Sequence, residues 1–208
     1  MSTLLPLGPD ELLATTRAVR KRLDLDRPVP LEVVKDALGI ALQAPSGGNR
    51  QTWHWIIVTD PALRKTVADY YAASYRAYAS NQPTSPTAER TRIASSATYL
   101  AENLHRVPVL VIGAIETGSA TLPAGNQAGL WGSVLPAAWS LSLALRARGL
   151  GSAWTTLHLQ YEREVADALG IPPTVHQGVL LPVAYTKGVD FKPAPRRDLD
   201  SVVHVDFW

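Results

Sequence analysis

Three short stretches of the chain carry the residues best suited to hold a charged or planar ligand. They are residues 15–22 (TTRAVRKR), residues 44–53 (APSGGNRQTW) and the pair Arg196 and Arg197. Arginine recognises phosphate well, because its planar guanidinium presents two parallel N–H donors and keeps its charge. The first and third stretches are therefore candidate phosphate-binding sites.

The arginines of residues 15–22 lie in a segment that we predict to be the end of a helix. On a helix, Arg17 and Arg20 are three residues apart and share a face, whereas Arg22 points away. We therefore select Arg17 and Arg20 as the phosphate candidates. A solvated basic helix end, favoured by the helix dipole, explains the same residues and stays an open alternative.

Residues 44–53 combine a permissive backbone with small polar side chains. Gly47 and Gly48 let the backbone approach a flat ligand closely, while Ser46 and Asn49 offer hydrogen bonds to it. The alternative is a helix C-terminus and a turn before a strand, with the tryptophans that follow simply in the core. The residues alone leave both interpretations open.

Other common chemistries lack support in the sequence. The chain has no cysteine, which excludes disulfides, thiolate metal sites and cysteine nucleophiles. Its five histidines form no HxxxH pair, and it has neither a GxxxxGK[ST] phosphate loop nor a GxSxG nucleophile elbow. The GLGSAW stretch fails the dinucleotide fingerprint, because Trp154 stands where the last glycine is needed.

The composition indicates one ordinary domain, residues 1–208. A net charge of +2 without a long basic run gives no support for nucleic acid as a partner. The N-terminus lacks the features of a secretory signal, so we expect a cytoplasmic protein. Residues 117–145 carry no charge, but their glycines and polar residues favour a helix buried in the core or at a subunit interface over a membrane span.

The apolar periodicity predicts helices and strands in alternation. We expect helices at residues 10–22, 31–44, 61–79, 88–104, 126–148 and 161–169, strands at 53–59, 108–115, 152–157 and 178–186, and a β-like end at 201–207. Residues 80–87 are typical of a loop. The economical architecture is a central sheet of four to five strands with helices on both faces.

The motifs, taken in order, resemble those of the flavin-dependent nitroreductase family. APSGGNRQTWHWIIV is similar to the family signature APS-x-x-N-x-Q-P-W, and TRAVRKRL to its N-terminal R-x-S-x-R/K stretch. LALRARGLGSAWTT resembles its long helix and Gly-Leu-Gly turn, and PAPRRDLDSVV its C-terminal R-[RP]-L-x-x-V. The likeness spans residues 15–203, with Ala18 in place of the usual serine, Thr52 in place of the usual proline and one extra residue between Arg20 and Leu23.

The resemblance implies a nitroreductase-like α+β fold with a mixed central sheet, in an intertwined homodimer whose swapped terminal segments enclose two FMN molecules. It places Arg17 and Arg20 at the FMN phosphate or at the pyrimidine side of the ring, and Arg196 or Arg197 at the phosphate. Ser133 would lie near the ring. The partner subunit would contribute the residues of its glycine loop to the cofactor site: Pro45, Ser46, Gly47 and Asn49. Trp154, Thr155, Thr156 and Leu157 would pass the flavin N5, with the backbone N–H of Thr156 or Leu157 as donor.

The implied activity is ping-pong hydride transfer from NADH or NADPH through FMN to an electron-poor small molecule such as a nitroaromatic or a quinone. Arg20 would tune the flavin, while Trp131 and residues 75–87 would form walls for the acceptor, although Trp131 is equally an interface candidate. Alternatives are reductive dehalogenation or flavin cleavage, as in other family members, or a reservoir or sensor that binds FMN without turnover. A substrate lid at residues 72–92 stays unassigned.

Overall fold

Four strands form one sheet in the computed structural model, which describes residues 4–81 and 87–208. They are β1 (Trp53–Val58), β2 (Val109–Glu116), β3 (Leu150–Ser152) and β4 (Val175–Tyr185), and they lie in the order β1-β2-β4-β3. Every one of these strand pairs is antiparallel, so the prediction of a mixed sheet is wrong. Among the described residues, the one parallel contact is an isolated bridge between Ala18 and Ser152.

Helices cover both faces of the sheet, as predicted. They are α1 (Pro9–Thr15), α2 (Leu31–Ala41), α3 (Pro61–Ser80), α4 (Ala88–Asn103), α5 (Ala128–Ala147) and α6 (Glu162–Leu169). Alternate residues of β2 face opposite layers: Leu110 and Ile112 pack with α3 and α4, whereas Val109 and Val111 pack with α2 and α5. This double coverage explains why β2 is a continuous apolar run.

The first helix is shorter than predicted and ends at Thr15 instead of residue 22. Thr16 leaves the helix with an extended backbone, and the hydroxyls of Thr15 and Thr16 bond back to carbonyls of the last turn. Beyond it, the N–H of Val19 donates to the carbonyl of Ser152 at 2.8 Å, which docks this segment on the edge of β3. Arg17 and Arg20 therefore do not share a helix face, and that part of the prediction is wrong.

Helix α5 buries only one of its faces within the chain. Ala137, Ala138 and Leu141 face the sheet, whereas Gly132 and Trp139 are exposed. Of the helices in residues 4–81 and 87–208, α5 is long and apolar enough to cross a membrane by its length and composition alone. Core helices of soluble proteins share these two properties. Because one face is uncovered, burial in the core does not account for the whole helix, and its place at a subunit interface stays a prediction.

Two peripheral segments differ from their predicted form. The expected loop at residues 75–87 is helical up to Ser80, and residues 82–86 of both this loop and the 72–92 lid lie outside the described residues. Residues 201–207, expected to be β-like, form no strand: a single 3-10 turn, Leu199–Ser201, precedes an exposed end. An alternating pattern makes a strand only where a partner edge is available, and no described strand pairs with these residues.

Candidate functional site

The GLG turn after α5 brings the predicted N-terminal arginines against the sheet. Gly149 has φ +75° and ends the helix, as predicted. A Cβ on Gly151 would lie 2.7 Å from Cγ2 of Thr186 and 2.9 Å from Cβ of Val19. Only glycine lets residues 16–20 approach this closely, so the glycine positions Arg17 and Arg20 at the β3 edge.

Tyr71 connects Thr155 with Arg20: Thr155 bonds to its hydroxyl, and the charge of Arg20 acts on it. The Thr155 hydroxyl donates to the Tyr71 hydroxyl oxygen at 3.4 Å, and Arg20 Nη1 donates to Ser96 Oγ at 3.4 Å. Burial raises the pKa of Tyr71, against smaller lowering effects of the Thr155 hydrogen bond and the Arg20 charge. The Tyr71 hydroxyl therefore stays protonated at neutral pH, near the half-exposed guanidinium of Arg20.

The segment that follows β3 presents free backbone donors. Thr155 exchanges two hydrogen bonds with Leu180 of β4, at 3.1 and 2.9 Å, which fixes the chain at this point. The next two N–H groups, of Thr156 and Leu157, donate to no other residue in the part of the chain that the structure describes. Thr156 is exposed, so an external acceptor can reach this pair.

The glycine loop forms a short 3-10 turn, Gly47–Asn49, with an unusual backbone. Gly48, Asn49 and Gln51 have φ of +59°, +54° and +53°, a region that non-glycine residues rarely adopt. The N–H of Gly47 donates to Ser133 Oγ at 3.0 Å, so two of the predicted cofactor residues meet. Strained backbone held by such contacts is common where a protein binds a ligand.

The loop's own polar groups are partly used to hold its shape. Ser46 Oγ accepts from the N–H of Gln51 at 3.2 Å, and Asn49 Oδ1 accepts from Gln51 Nε2 at 3.0 Å. Pro45 is exposed at the start of the turn. Because the Gly47 N–H donates to Ser133 and the Gly47 carbonyl accepts from Arg50, the backbone of Gly48 is the surface that the loop offers to a ligand.

Trp131 packs on the sheet of its own chain. Its Nε1 donates to Gln127 Oε1 at 2.9 Å, and its Cζ3 would lie 2.9 Å from a Cβ built on Gly178. In the same way, Cζ3 of Trp55 would lie 2.9 Å from a Cβ built on Gly113 of β2. Sequence reasoning missed both strand glycines, although a lone glycine in an apolar strand signals a close approach.

Arg196 and Arg197 are exposed and contact none of the other predicted site residues. Arg196 Nη1 donates to the neighbouring carbonyl of Pro195 at 3.0 Å, and Arg17 Nη1 donates to the carbonyl of Lys192 at 3.1 Å. The structure thus brings Arg20 together with Thr155 and brings Gly47 together with Ser133. It leaves the C-terminal arginines apart from both groups.

His158 directly follows the segment with the free donors, and sequence reasoning did not select it. Its side chain is fully buried, and neither ring nitrogen has a hydrogen-bond partner among the described residues. Burial lowers its pKa from 6.5 to about 4. The imidazole is therefore neutral at physiological pH and packs as an apolar group.

A cavity of about 840 Å³ lies beside the glycine loop. It is lined by Arg50 and Thr52, by residues that follow β2, and by Gly129 and Leu130 at the start of α5. Because Ser133, one turn further along α5, holds Gly47, this cavity and the loop share a wall. Within residues 4–81 and 87–208, no cluster of histidines and carboxylates is arranged to hold a metal ion.

The residues at the β3 edge fit a flavin mononucleotide. Two unpaired backbone donors suit a ring nitrogen that accepts a hydrogen bond, and Arg17 and Arg20 supply cations for a phosphate or an electron-rich ring edge. The bare backbone of Gly48 suits the face of a planar ring. The donor set and the charge of these residues therefore agree with the cofactor that the resemblance implies.

Comparison with known proteins finds relatives of this chain in sequence and in fold. A stretch of 74 residues is 39% identical to chloronitrobenzene nitroreductase of Comamonas testosteroni, of which it covers 31%. The 5,6-dimethylbenzimidazole synthase of Rhodospirillum rubrum is 33% identical over 79% of this chain and 75% of that protein. A crystal structure of iodotyrosine deiodinase bound to FMN and 3-iodo-L-tyrosine superposes with a TM-score of 0.72 at 26% identity, covering 96% of this chain and 99% of that one.

The family assignment rests on most of the sequence. The matched stretch spans about a third of the length of the nitroreductase from Comamonas, so that relative alone says little about the whole chain. The model of the Nitroreductase family, by contrast, matches residues 13–185, which include every strand and all of α2 to α6. Since this match covers well over half of the 208 residues, the chain belongs to the nitroreductase family.

Proposed function

We propose that this protein is an FMN-dependent oxidoreductase that takes hydride from NADH or NADPH and passes it to an electron-poor acceptor such as a nitroaromatic or a quinone. The observation that carries the proposal is the free pair of backbone donors at Thr156 and Leu157, which directly follow Thr155 where its hydroxyl bonds to Tyr71. Bound FMN would supply the hydride transfer of both half-reactions, in ping-pong order. The protein's task is then to bind, orient and shield the ring.

The β3 edge would bind the ring through its polar side. We assign the N–H of Thr156 or Leu157 to the flavin N5, which fixes the reacting atom, and Arg20 to the pyrimidine side. There the guanidinium would stabilise the negative charge that accompanies reduction. Arg17, which is exposed, would bind the phosphate. Tyr71 and its hydrogen bond to Thr155 would keep this edge in place.

The other half of the site would come from a second copy of the chain. We assign Pro45, Ser46, Gly47 and Asn49 of the partner subunit to the opposite side of the ring, with Ser133 holding their loop. A homodimer agrees with the uncovered face of α5 and with the exposed, partly apolar C-terminal end, where Phe207 and Trp208 face solvent. Arg196 or Arg197 would complete the phosphate site in that assembly.

Reductive dehalogenation is the second candidate, and the FMN-bound deiodinase structure favours it. Both activities need the same flavin site and differ in the acceptor. Trp131 of α5 is half-buried against β4. It is our choice for an acceptor wall in either case, because an aromatic face gives a flat substrate area to stack on. Turnover separates the two: quinone or nitroaromatic reduction supports the first, and halide release from a halophenol supports the second.

The first experiment asks whether the purified protein carries FMN. We expect a yellow protein from which acid releases FMN, and steady-state oxidation of NADH or NADPH with a quinone acceptor. A colourless protein that gains no FMN on incubation contradicts the proposal. Flavin that binds but is reduced by neither nucleotide supports a reservoir or sensor instead.

The second experiment tests the two arginines. Charge-assisted hydrogen bonds contribute about 1.5–3 kcal/mol each, so the double variant Arg17→Ala, Arg20→Ala is expected to weaken FMN binding by about a hundredfold or more. Arg106→Ala, at an exposed arginine that pairs with Asp26, serves as the matched control and should bind normally. Unchanged flavin occupancy in the double variant would clear both residues of the role.

A further inference from the structure

The guanidinium groups of two arginines, Arg22 and Arg146, lie over the ring of Phe191. The guanidinium carbon of Arg22 lies 4.1 Å from the ring centroid, and that of Arg146 lies 4.9 Å from it. Both distances are within the range of cation–π attraction. We refer to Arg22, Arg146 and Phe191 as the arginine clamp.

The two arginines also hydrogen-bond to the backbone just before Phe191. Arg22 donates to the carbonyls of Lys187 and Asp190 at 3.0 and 2.9 Å, and to Asp190 Oδ1 at 3.1 Å. Arg146 Nη2 donates to the carbonyl of Val189 at 2.8 Å. Residues 187–191 are thereby tied at three carbonyls, although they belong to no helix or strand.

Stability alone gives a poor account of Arg146. The residue is 4% exposed, yet its Nε and Nη1 have no hydrogen-bond partner within the described part of the chain. Burial also lowers its pKa, which means that the charge is held at a cost. An apolar side chain in the same space would avoid that cost. The clamp is therefore better explained by what it positions than by the stability it adds.

The segment that carries Arg196 and Arg197 directly follows Phe191 in the sequence. From Phe191 to Arg196 is five residues, a reach of at most about 18 Å, whereas from Lys187, whose N–H donates to the backbone carbonyl of Arg22, it is nine residues, or about 32 Å. A shorter tether raises the effective concentration of its end, by about the 3/2 power of the length ratio, here about twofold. Fixing the direction of departure adds to this gain.

We propose that the arginine clamp positions the C-terminal segment so that Arg196 and Arg197 reach the phosphate of bound FMN. The three clamp residues are positioning residues, which act through the arginine pair and do not contact the cofactor themselves. The proposal rests on FMN binding as given under the proposed function. It also assigns a role to the buried, incompletely paired charge of Arg146.

The double variant Arg22→Leu, Arg146→Leu tests the proposal, because it removes both guanidinium groups over Phe191 and their hydrogen bonds to the carbonyls of residues 187, 189 and 190. Full-length apoprotein is titrated with FMN and with riboflavin, which lacks the phosphate, and binding is followed by flavin fluorescence. We expect Kd for FMN to rise at least about twofold and Kd for riboflavin to stay unchanged. Phe191→Tyr, which leaves both arginines and the aromatic face in place, is the control and should bind as the wild type does.

A double-mutant cycle gives the decisive comparison. In a chain that already carries Arg196→Ala and Arg197→Ala, the pair Arg22→Leu and Arg146→Leu is expected to have no further effect on Kd for FMN, because nothing remains to be positioned. Additive effects, or an equal loss of riboflavin and FMN affinity, would overturn the proposal and indicate a purely structural role. A wild-type protein that binds neither flavin contradicts the proposed function itself, an outcome distinct from failure of the clamp.

Discussion

His158 allows a quantitative test of the packing directly behind the candidate site. Its side chain is fully buried, and its pKa falls from 6.5 to about 4 because burial disfavours the charged imidazolium. The unfolded chain therefore binds a proton at a higher pH than the folded chain does. The stability that follows from this difference is complete above pH 6.5 and is lost as the pH falls through 4.

The size of the loss follows from the two pKa values. Each unit between 6.5 and about 4 corresponds to about 1.4 kcal/mol. The proton taken up by the unfolded chain thus lowers the free energy of unfolding by about 3 kcal/mol between pH 7 and pH 4. His158→Leu removes the titrating group and fills the space with an apolar side chain of similar size, so this part of the pH dependence should disappear.

The measurement is urea unfolding of wild type and His158→Leu at a series of pH values from 7 to 4. The difference between the two free energies of unfolding should move by about 3 kcal/mol in favour of the variant as the pH falls, while the carboxylates common to both proteins cancel. If His158→Leu loses stability towards acid as steeply as the wild type, the imidazole is not buried as described.

Three further substitutions test individual contacts by thermal or urea unfolding. Gly178→Ala places a Cβ 2.9 Å from the Trp131 ring and should lower the free energy of unfolding by about 1–3 kcal/mol. Adding Trp131→Leu should restore part of this loss. A neutral effect of Gly178→Ala would contradict the close approach. Ser133→Ala removes the acceptor of the Gly47 N–H and should cost about 1–2 kcal/mol, whereas Ser133→Thr, which keeps a hydroxyl, should cost less. Asp60→Ala removes the N-cap of α3 and should cost about 1 kcal/mol, with Asp60→Asn close to wild type; equal losses in both variants would contradict the capping role.

The elements that follow from local pattern were predictable. The apolar run of β2 is buried on both faces, Pro61 begins α3, and Gly149 ends α5 with a positive φ. Each depends on a propensity or a periodicity that a short window contains. The likeness to the nitroreductase motifs then led to the family, because several motifs in one order carry more information than any of them alone.

The errors arose where distant residues decide the structure. α1 stops at Thr15 because Val19 pairs with Ser152, more than a hundred residues away in the sequence. Strand direction also depends on how long connections cross the sheet, and the mixed sheet that the resemblance implied is not found, because all pairs of the four described strands are antiparallel. His158 escaped notice because one histidine in an apolar stretch gives no signal of its environment.

One irregularity in the sheet ties the two halves of the candidate site together. The pairing of β2 with β4 shifts between Gly113 and Ala114, so that Gly178 is an extra residue in β4 without a partner. The Trp131 ring covers this bulge from α5, and Thr155 pairs with Leu180 two residues further along β4. Bulges of this kind re-aim side chains and are frequent beside active sites.

The bulge is itself held by the segment that carries the backbone donors. Glu162, which begins α6 just after that segment, accepts the N–H of Gln177 at 2.8 Å, and its carbonyl accepts Gln177 Nε2 at 2.8 Å. The chain from Thr155 to Glu162 is thus fastened to β4 at both ends, with fully buried His158 between them. A displacement of any of these contacts moves the donors of Thr156 and Leu157, so the precision of the site depends on the sheet irregularity as much as on the residues that face the ligand.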